Sequence, residues 1–283
     1  MSEREGIEGP AEGEGEGGGE GTGTDQDSMP LVSHLRELRH RVVVSVVAIT
    51  VAFTVCYTFS EALFDLLAAP LLPALPEGER SLAFTGVVEP FFTYLKVGLV
   101  GALITASPVI LYQGWAFIAP GLYEGERAWL PLVVAVSVLL FASGVTFAYM
   151  IVLPVGFKYL LSFSGPELRP VLSMGLYLSF ATKLLVAFGV IFQIPLAALV
   201  FSRLGLVDAR GLVAFWKYAF LLAVIVGAFL TPPDIFSQLL MAGPIMLLYG
   251  ISIVVVMAFG KKMGEGGETL PDEEDEGEGE GSD

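Results

Sequence analysis

Cysteine, histidine and positive charge are scarce in this chain, and each scarcity closes a class of function. The one cysteine, Cys56, lies inside an apolar run, which excludes an intramolecular disulfide and argues against a cysteine metal site. The two histidines, His34 and His40, both lie at the leading edge of the first long apolar run, none inside the bundle. That leaves no histidine pair for zinc and no Ser-His dyad at membrane depth. A phosphate-binding glycine loop of the Walker type is also missing. An enzyme is therefore not expected, and neither a cofactor nor a nucleic-acid partner is called for. No apolar segment of the signal-peptide kind precedes Met29, so a cleavable secretory signal is not expected, and Met29 offers an alternative start. No repeat of 20–50 residues and no duplicated half appears.

Apolar residues are what the chain has in excess. They make up 54% of it, and the mean hydropathy is +0.71. The formal charge of −15 sits in the ends. Residues 1–28 hold nine acids and one base, and 263–283 hold ten acids and no base, leaving a weakly basic body at 29–262. Both ends are rich in Gly and Glu and too poor in apolar residues to fold, so 1–28 and 263–283 read as acidic disordered tails.

The body contains six apolar runs, at about 40–60, 92–114, 129–153, 176–201, 213–230 and 237–259, each a candidate membrane crossing. The segment from Glu61 to Pro76 carries two acids and three prolines, and reads as interfacial helix on one face. Basic residues cluster beside one set of run ends: Arg36, Arg39 and Arg41, then Arg127, then Arg203, Arg210 and Lys217, then Lys261 and Lys262. This bias predicts both termini in the cytoplasm. The fold class is an all-α integral membrane protein with six spans. The fifth is short, with 13 uninterrupted apolar residues from Tyr218 to Leu230.

Several polar positions carry more than one reading. The segment Pro30 to Arg41 has Leu31, Leu35, Leu38 and Val42 at helical spacing, and Pro30 suits a helix start. On its polar side Glu37 either pairs with Arg41 one turn on or presents a carboxylate to an incoming cation. Gln193, beside Pro195 in the fourth run, makes a helix–helix hydrogen bond or draws water into a groove. Lys183 either snorkels outward or pairs with Asp234, and Asp234 itself suits a helix N-cap. The connection Trp115-Ala-Phe-Ile-Ala-Pro-Gly-Leu-Tyr-Glu-Gly-Glu-Arg127 presents Phe117 and Tyr123 beside Glu124 and Glu126. A plain turn needs no such composition, whereas a docking surface for a partly basic, partly apolar ligand does.

Glu37, the 115–127 connection and Thr231-Pro-Pro-Asp-Ile-Phe-Ser-Gln238 together closely resemble TatC, the multi-spanning receptor subunit of the twin-arginine protein translocase. The resemblance runs from about Met29 to Gly260 and includes Pro70, Glu89-Pro-Phe-Phe92, Lys96 and Pro244 to Tyr249. It implies a glove-shaped bundle in the cytoplasmic (inner) membrane, capped on the outside by the 61–90 loop. It further implies binding of twin-arginine signal peptides on folded precursors, and export driven by the proton gradient. Glu37, Arg39, Phe117, Tyr123 and Glu126 would form the signal-peptide site, with Glu126 central and Glu124 a surface charge. Gln193, Asp234 and Gln238 would meet single-span partner subunits of the TatA/TatB type within a multimeric complex. Gln193 and Gly250 depart from the family pattern, which commonly has glutamate at both positions. The alternatives are a secondary transporter or channel for a small solute, and a structural scaffold.

Overall fold

The computed structural model describes residues 25–71, 73, 82–84, 86–119, 129–163, 173–231 and 234–260, and for 25–34 the backbone alone. Of the two tails, residues 1–24 and 263–283 lie outside the described residues, while Asp25–Ser28, expected to belong to the disordered tail, are helical. Two units are distinguished, 1–40 and 41–283. The first holds the leading part of α1 (Asp25–Thr58), a helix that continues into the second. This helix begins five residues ahead of Pro30, earlier than the sequence suggests.

Unit 41–283 is built from helices of very uneven length. After α1 come α2 (Ser60–Ala68), α3 (Glu89–Ile118), α4 (Leu130–Phe147), α5 (Leu153–Leu161), α6 (Met174–Ile191), α7 (Ile194–Arg203), α8 (Ala209–Ala214), α9 (Trp216–Leu230) and α10 (Ile235–Phe259). Among the described residues, five helical stretches are long and apolar enough to cross a membrane: Leu35–Thr58, Glu89–Ile118, Leu130–Leu161, Met174–Arg203 and Ile235–Phe259. The shorter apolar helix α9 follows the turn at Phe215 and has 15 residues, about 22 Å of rise against a hydrocarbon core of ~30 Å. It thus begins three residues later than expected, because α8, capped by Asp208 accepting from Gly211 N at 2.7 Å, occupies the preceding connection.

Prolines explain the two interruptions inside long spans. Pro154 has no N–H to give to the carbonyl four residues back, and a π-helical turn at Ala148–Val152 joins α4 to α5 there. Pro195 does the same after Ile191, where Phe192 and Gln193 form a turn between α6 and α7.

The centre of the unit is α6, which packs on α3 and α4, while α10 packs on α9 and α7. Leu178, Ala181, Leu184, Leu185 and Phe188 of α6 are all buried. Between α4 and α6 the approach is close enough to require two glycines. The Phe141 ring packs over Gly189, and Phe192 with the Phe188 carbonyl packs over Gly144. Where lipid tails are as apolar as the side chains, such small-residue contacts hold helices together through van der Waals packing.

At the end of the bundle where α2 lies, polar side chains tie the elements. The Tyr149 hydroxyl donates to the Leu66 carbonyl at 2.7 Å and the Tyr177 hydroxyl to the Leu67 carbonyl at 2.6 Å. Two of the orphan carbonyls at the C-terminus of α2 are thereby satisfied by hydroxyls from two different spans. The Glu89 carboxylate accepts from the Ser173 hydroxyl, from Gly175 N at 2.7 Å and from Gly86 N at 3.3 Å. It therefore links the start of α3 to the start of α6. Lys96 donates to Ser179 Oγ at 3.0 Å one level further in. The expected helix in this segment is present as α2.

Candidate functional site at the polar ends of the bundle

In unit 1–40, Glu37 is half-buried and Arg39 exposed on α1. In unit 41–283, Phe117 is half-buried in the last turn of α3. Tyr123, Glu124 and Glu126 lie outside the described residues. What is described is how both ends of their connection are held. Trp115, buried three residues before the end of α3, donates its indole N–H to Ser137 Oγ of α4 at 2.5 Å. It also packs with Leu196 and Val200 of α7. On the α1 side, Arg41 donates to Gln113 Oε1 at 3.4 Å. A hydrogen bond between spans contributes about 0.6–2 kcal/mol, so the Trp115–Ser137 contact holds α3 against α4 at the base of the acidic-aromatic connection.

Ser137 also joins this clamp to Gln193. The Gln193 amide donates through Nε2 to the Ser137 carbonyl at 3.1 Å, so the helix–helix hydrogen bond is present. Its Oε1 is buried with no hydrogen-bond partner among the described residues. An unmatched acceptor at this depth is costly, about 1–3 kcal/mol. Gln193 sits in the turn that Pro195 forces, which places a polar group where the backbone is already irregular.

At the opposite end, Asp234 is the N-cap of α10 and accepts from Ser237 N at 2.8 Å and from the Ser237 hydroxyl. The Ser237 hydroxyl and then its N–H, with the Tyr159 hydroxyl adding to them, hold the Asp234 carboxyl below its ordinary value. Tyr159 also stacks on Phe236, with ring centroids 4.2 Å apart, joining the end of α5 to the start of α10. Among the described residues no ion pair joins Lys183 to Asp234; Lys183 is exposed, in keeping with the snorkelling reading. Gln238 donates to the Val224 carbonyl at 2.9 Å and so fastens α10 to α9.

The structure thus brings Gln193 to Trp115 and Ser137, and Asp234 to Tyr159 and Ser237, as two separate polar groups. Sequence reasoning missed Ser137, Tyr149, Tyr159 and Tyr177. Ser137 was the most visible of these, as the one hydroxyl in the run Leu130 to Phe141. The tyrosines look like interface anchors until their acceptors are known.

Helices long enough to span a bilayer, polar clamps at both ends and an irregular polar turn within the fourth span define a polytopic helical membrane protein. A family model described as Sec-independent protein translocase protein (TatC) matches residues 33–244. Curated relatives named Sec-independent protein translocase protein TatC include one from Desulforapulum autotrophicum, 44% identical over 84% of this chain and 88% of its own. Another, from Escherichia coli K12, is 39% identical over 81% of this chain and 88% of its own. A crystal structure described as the twin arginine translocase receptor TatC superposes with a TM-score of 0.73 at 41% identity, covering 80% of this chain and 98% of that one. The chain belongs to the TatC family. It is a multi-pass membrane component of the Sec-independent protein translocase.

Proposed function

We propose that this chain is the receptor and core subunit of the twin-arginine translocase, binding the signal peptides of folded precursors and nucleating their proton-gradient-driven export. Solved relatives described as twin-arginine translocase receptors support the reading at about 40% identity over most of the chain. The observation that carries it is the clamp at the base of the 115–127 connection. Trp115 pinned to Ser137 holds the start of the stretch that contains Phe117, Tyr123 and Glu126, while Leu130 opens α4 at its other end. A rigid base suits recognition, because a carboxylate must meet both arms of a guanidinium in one geometry. Glu126 accepts from one arginine of the pair and Glu37 from the other, which explains a requirement for arginine over lysine. Phe117 and Tyr123 pack against the apolar residues that follow, and Arg39 of α1 belongs to the same site.

Both termini are in the cytoplasm in this reading, the membrane is the inner one, and Asp234 lies on the outer side. Single-span partners of the TatA/TatB type meet the chain at Gln193, Asp234 and Gln238 within a multimeric complex. The Gln193 amide oxygen, buried and without a donor among the described residues, suits a partner helix that supplies one.

A photo-crosslinker placed at position 117 in membranes tests the receptor role. Adducts are expected to form with a twin-arginine precursor and to be at least tenfold weaker with its twin-lysine variant. Equal adducts with both would overturn it.

A further inference from the structure

At the end of the bundle where the C-terminus leaves, a groove of about 230 Å³ runs between α4, α7 and α10. Val136, Leu199 and Val200 give it apolar walls, and its floor is the far side of the cluster that Trp115 forms with Leu196. The mouth has a different chemistry. Trp129 and Phe259 stand there largely exposed, and the exposed Arg203, in the last turn of α7, is the one charged residue of the lining among the described residues. The flanking sequence adds charge of the same sign: Arg127 stands two residues before Trp129, and Lys261 and Lys262 follow Phe259 by two and three.

We propose that this groove is a binding site for one anionic phospholipid of the membrane leaflet on the C-terminal side. One acyl chain lies between Val136 and Leu199, and the phosphate meets the Arg203 guanidinium. Charge argues for an anionic headgroup, because basic pockets between spans recognise phosphate-rich lipids. The guanidinium has five N–H donors, so it accommodates lipid phosphate oxygens beside another acceptor. Trp129 fits the same picture, since tryptophan favours the headgroup level. Signal-peptide recognition has no part in the inference.

Trp129 also makes the site readable. The chain has three tryptophans, and Trp115→Phe with Trp216→Phe leaves Trp129 as the sole emitter. In proteoliposomes, lipid brominated in its acyl chain quenches an indole it touches. Dibrominated phosphatidylglycerol should quench Trp129 at a roughly five-fold lower mole fraction than dibrominated phosphatidylcholine, the preference one basic group provides. Arg203→Gln should level the two. In parallel, native mass spectrometry of the otherwise unaltered chain, ejected from mixed nanodiscs, should find retained phosphatidylglycerol. Val136→Phe, which fills the groove, should remove it. Equal quenching by the two lipids, a preference that survives Arg203→Gln, or lipid retention that survives Val136→Phe would each overturn the site.

Discussion

Gly144 offers the sharpest quantitative test of the packing, because its replacement by alanine should act against alanine's own helix preference. A Cβ added there would stand 2.5 Å from the Phe188 carbonyl oxygen and 2.9 Å from Cβ and Cγ of Phe192. Ordinary contacts between such atoms are about 3.5–4.0 Å, so α4 and α6 must separate by roughly 1 Å. Overpacking of this kind costs about 1–3 kcal/mol, and the upper half applies because the obstacle is backbone. Against it stands a gain of about 0.5–1 kcal/mol for replacing a mid-helix glycine. The expected net loss is ~1–2 kcal/mol. Gly250 of α10, with nothing within 4 Å of an added Cβ, is the control, and Gly250→Ala should gain about 0.5–1 kcal/mol. The two variants should therefore differ by ~2–3 kcal/mol, roughly 30- to 150-fold in the unfolding constant. Titration of folded protein in mixed micelles with dodecyl sulfate, followed by circular dichroism, measures the difference. A Gly144→Ala protein as stable as Gly250→Ala would refute the close approach of α4 and α6.

Three further outcomes are expected. Tyr149→Phe and Tyr177→Phe each leave a carbonyl at the end of α2 without its donor, and together should expose the 60–71 region to faster backbone exchange, read by hydrogen exchange with mass spectrometry; unchanged exchange would discount the tyrosines as its anchors. Gln193→Met should leave stability unchanged or raise it by about 1 kcal/mol, since it removes a buried acceptor with no donor among the described residues, while lowering export of a twin-arginine substrate in cells; a large stability loss with normal export would reverse the assignment. For Asp234, a lowered carboxyl means the ionised form stabilises the fold. That contribution is full above the ordinary value of 3.8 and is lost as pH falls through the lowered one. The stability gap between wild type and Asp234→Asn should hold from neutrality to about pH 4 and close below it; a gap that closes above pH 5 would exclude the Ser237 cap as its source.

How much of this was legible beforehand depends on whether the signal lies in one segment or between two. The apolar runs, the shortness of the fifth of them, the helix within the 61–76 segment and the Asp234 cap are properties of a single segment. Each could be read from hydropathy or from a residue beside a helix start. The reciprocal Phe141–Gly189 and Phe192–Gly144 contacts join two distant segments, and in an all-apolar run a glycine that packs looks like one that does not. The same holds for the hydroxyls. Tyr177 and Leu67 are 110 positions apart, and nothing local in either names the other. The π-helical turn before Pro154 was hidden for another reason: proline announces an irregularity but not whether the chain turns, kinks or widens. Of the candidate site, the sequence supplied the residue types, while the Trp115–Ser137–Gln193 link behind them needed the fold. Tyr123 and Glu126, read as part of a docking surface from the composition of 115–127 and given their roles by resemblance, lie outside the described residues.

Binding of a twin-arginine signal peptide by the purified full chain in detergent tests the receptor reading most directly. Wild type and Glu126→Ala would each be titrated with that peptide and with its twin-lysine variant. Arginine-selective binding is expected of the wild type, lost in Glu126→Ala and retained in Glu124→Ala. Equal binding of both peptides by wild type and Glu126→Ala would contradict it.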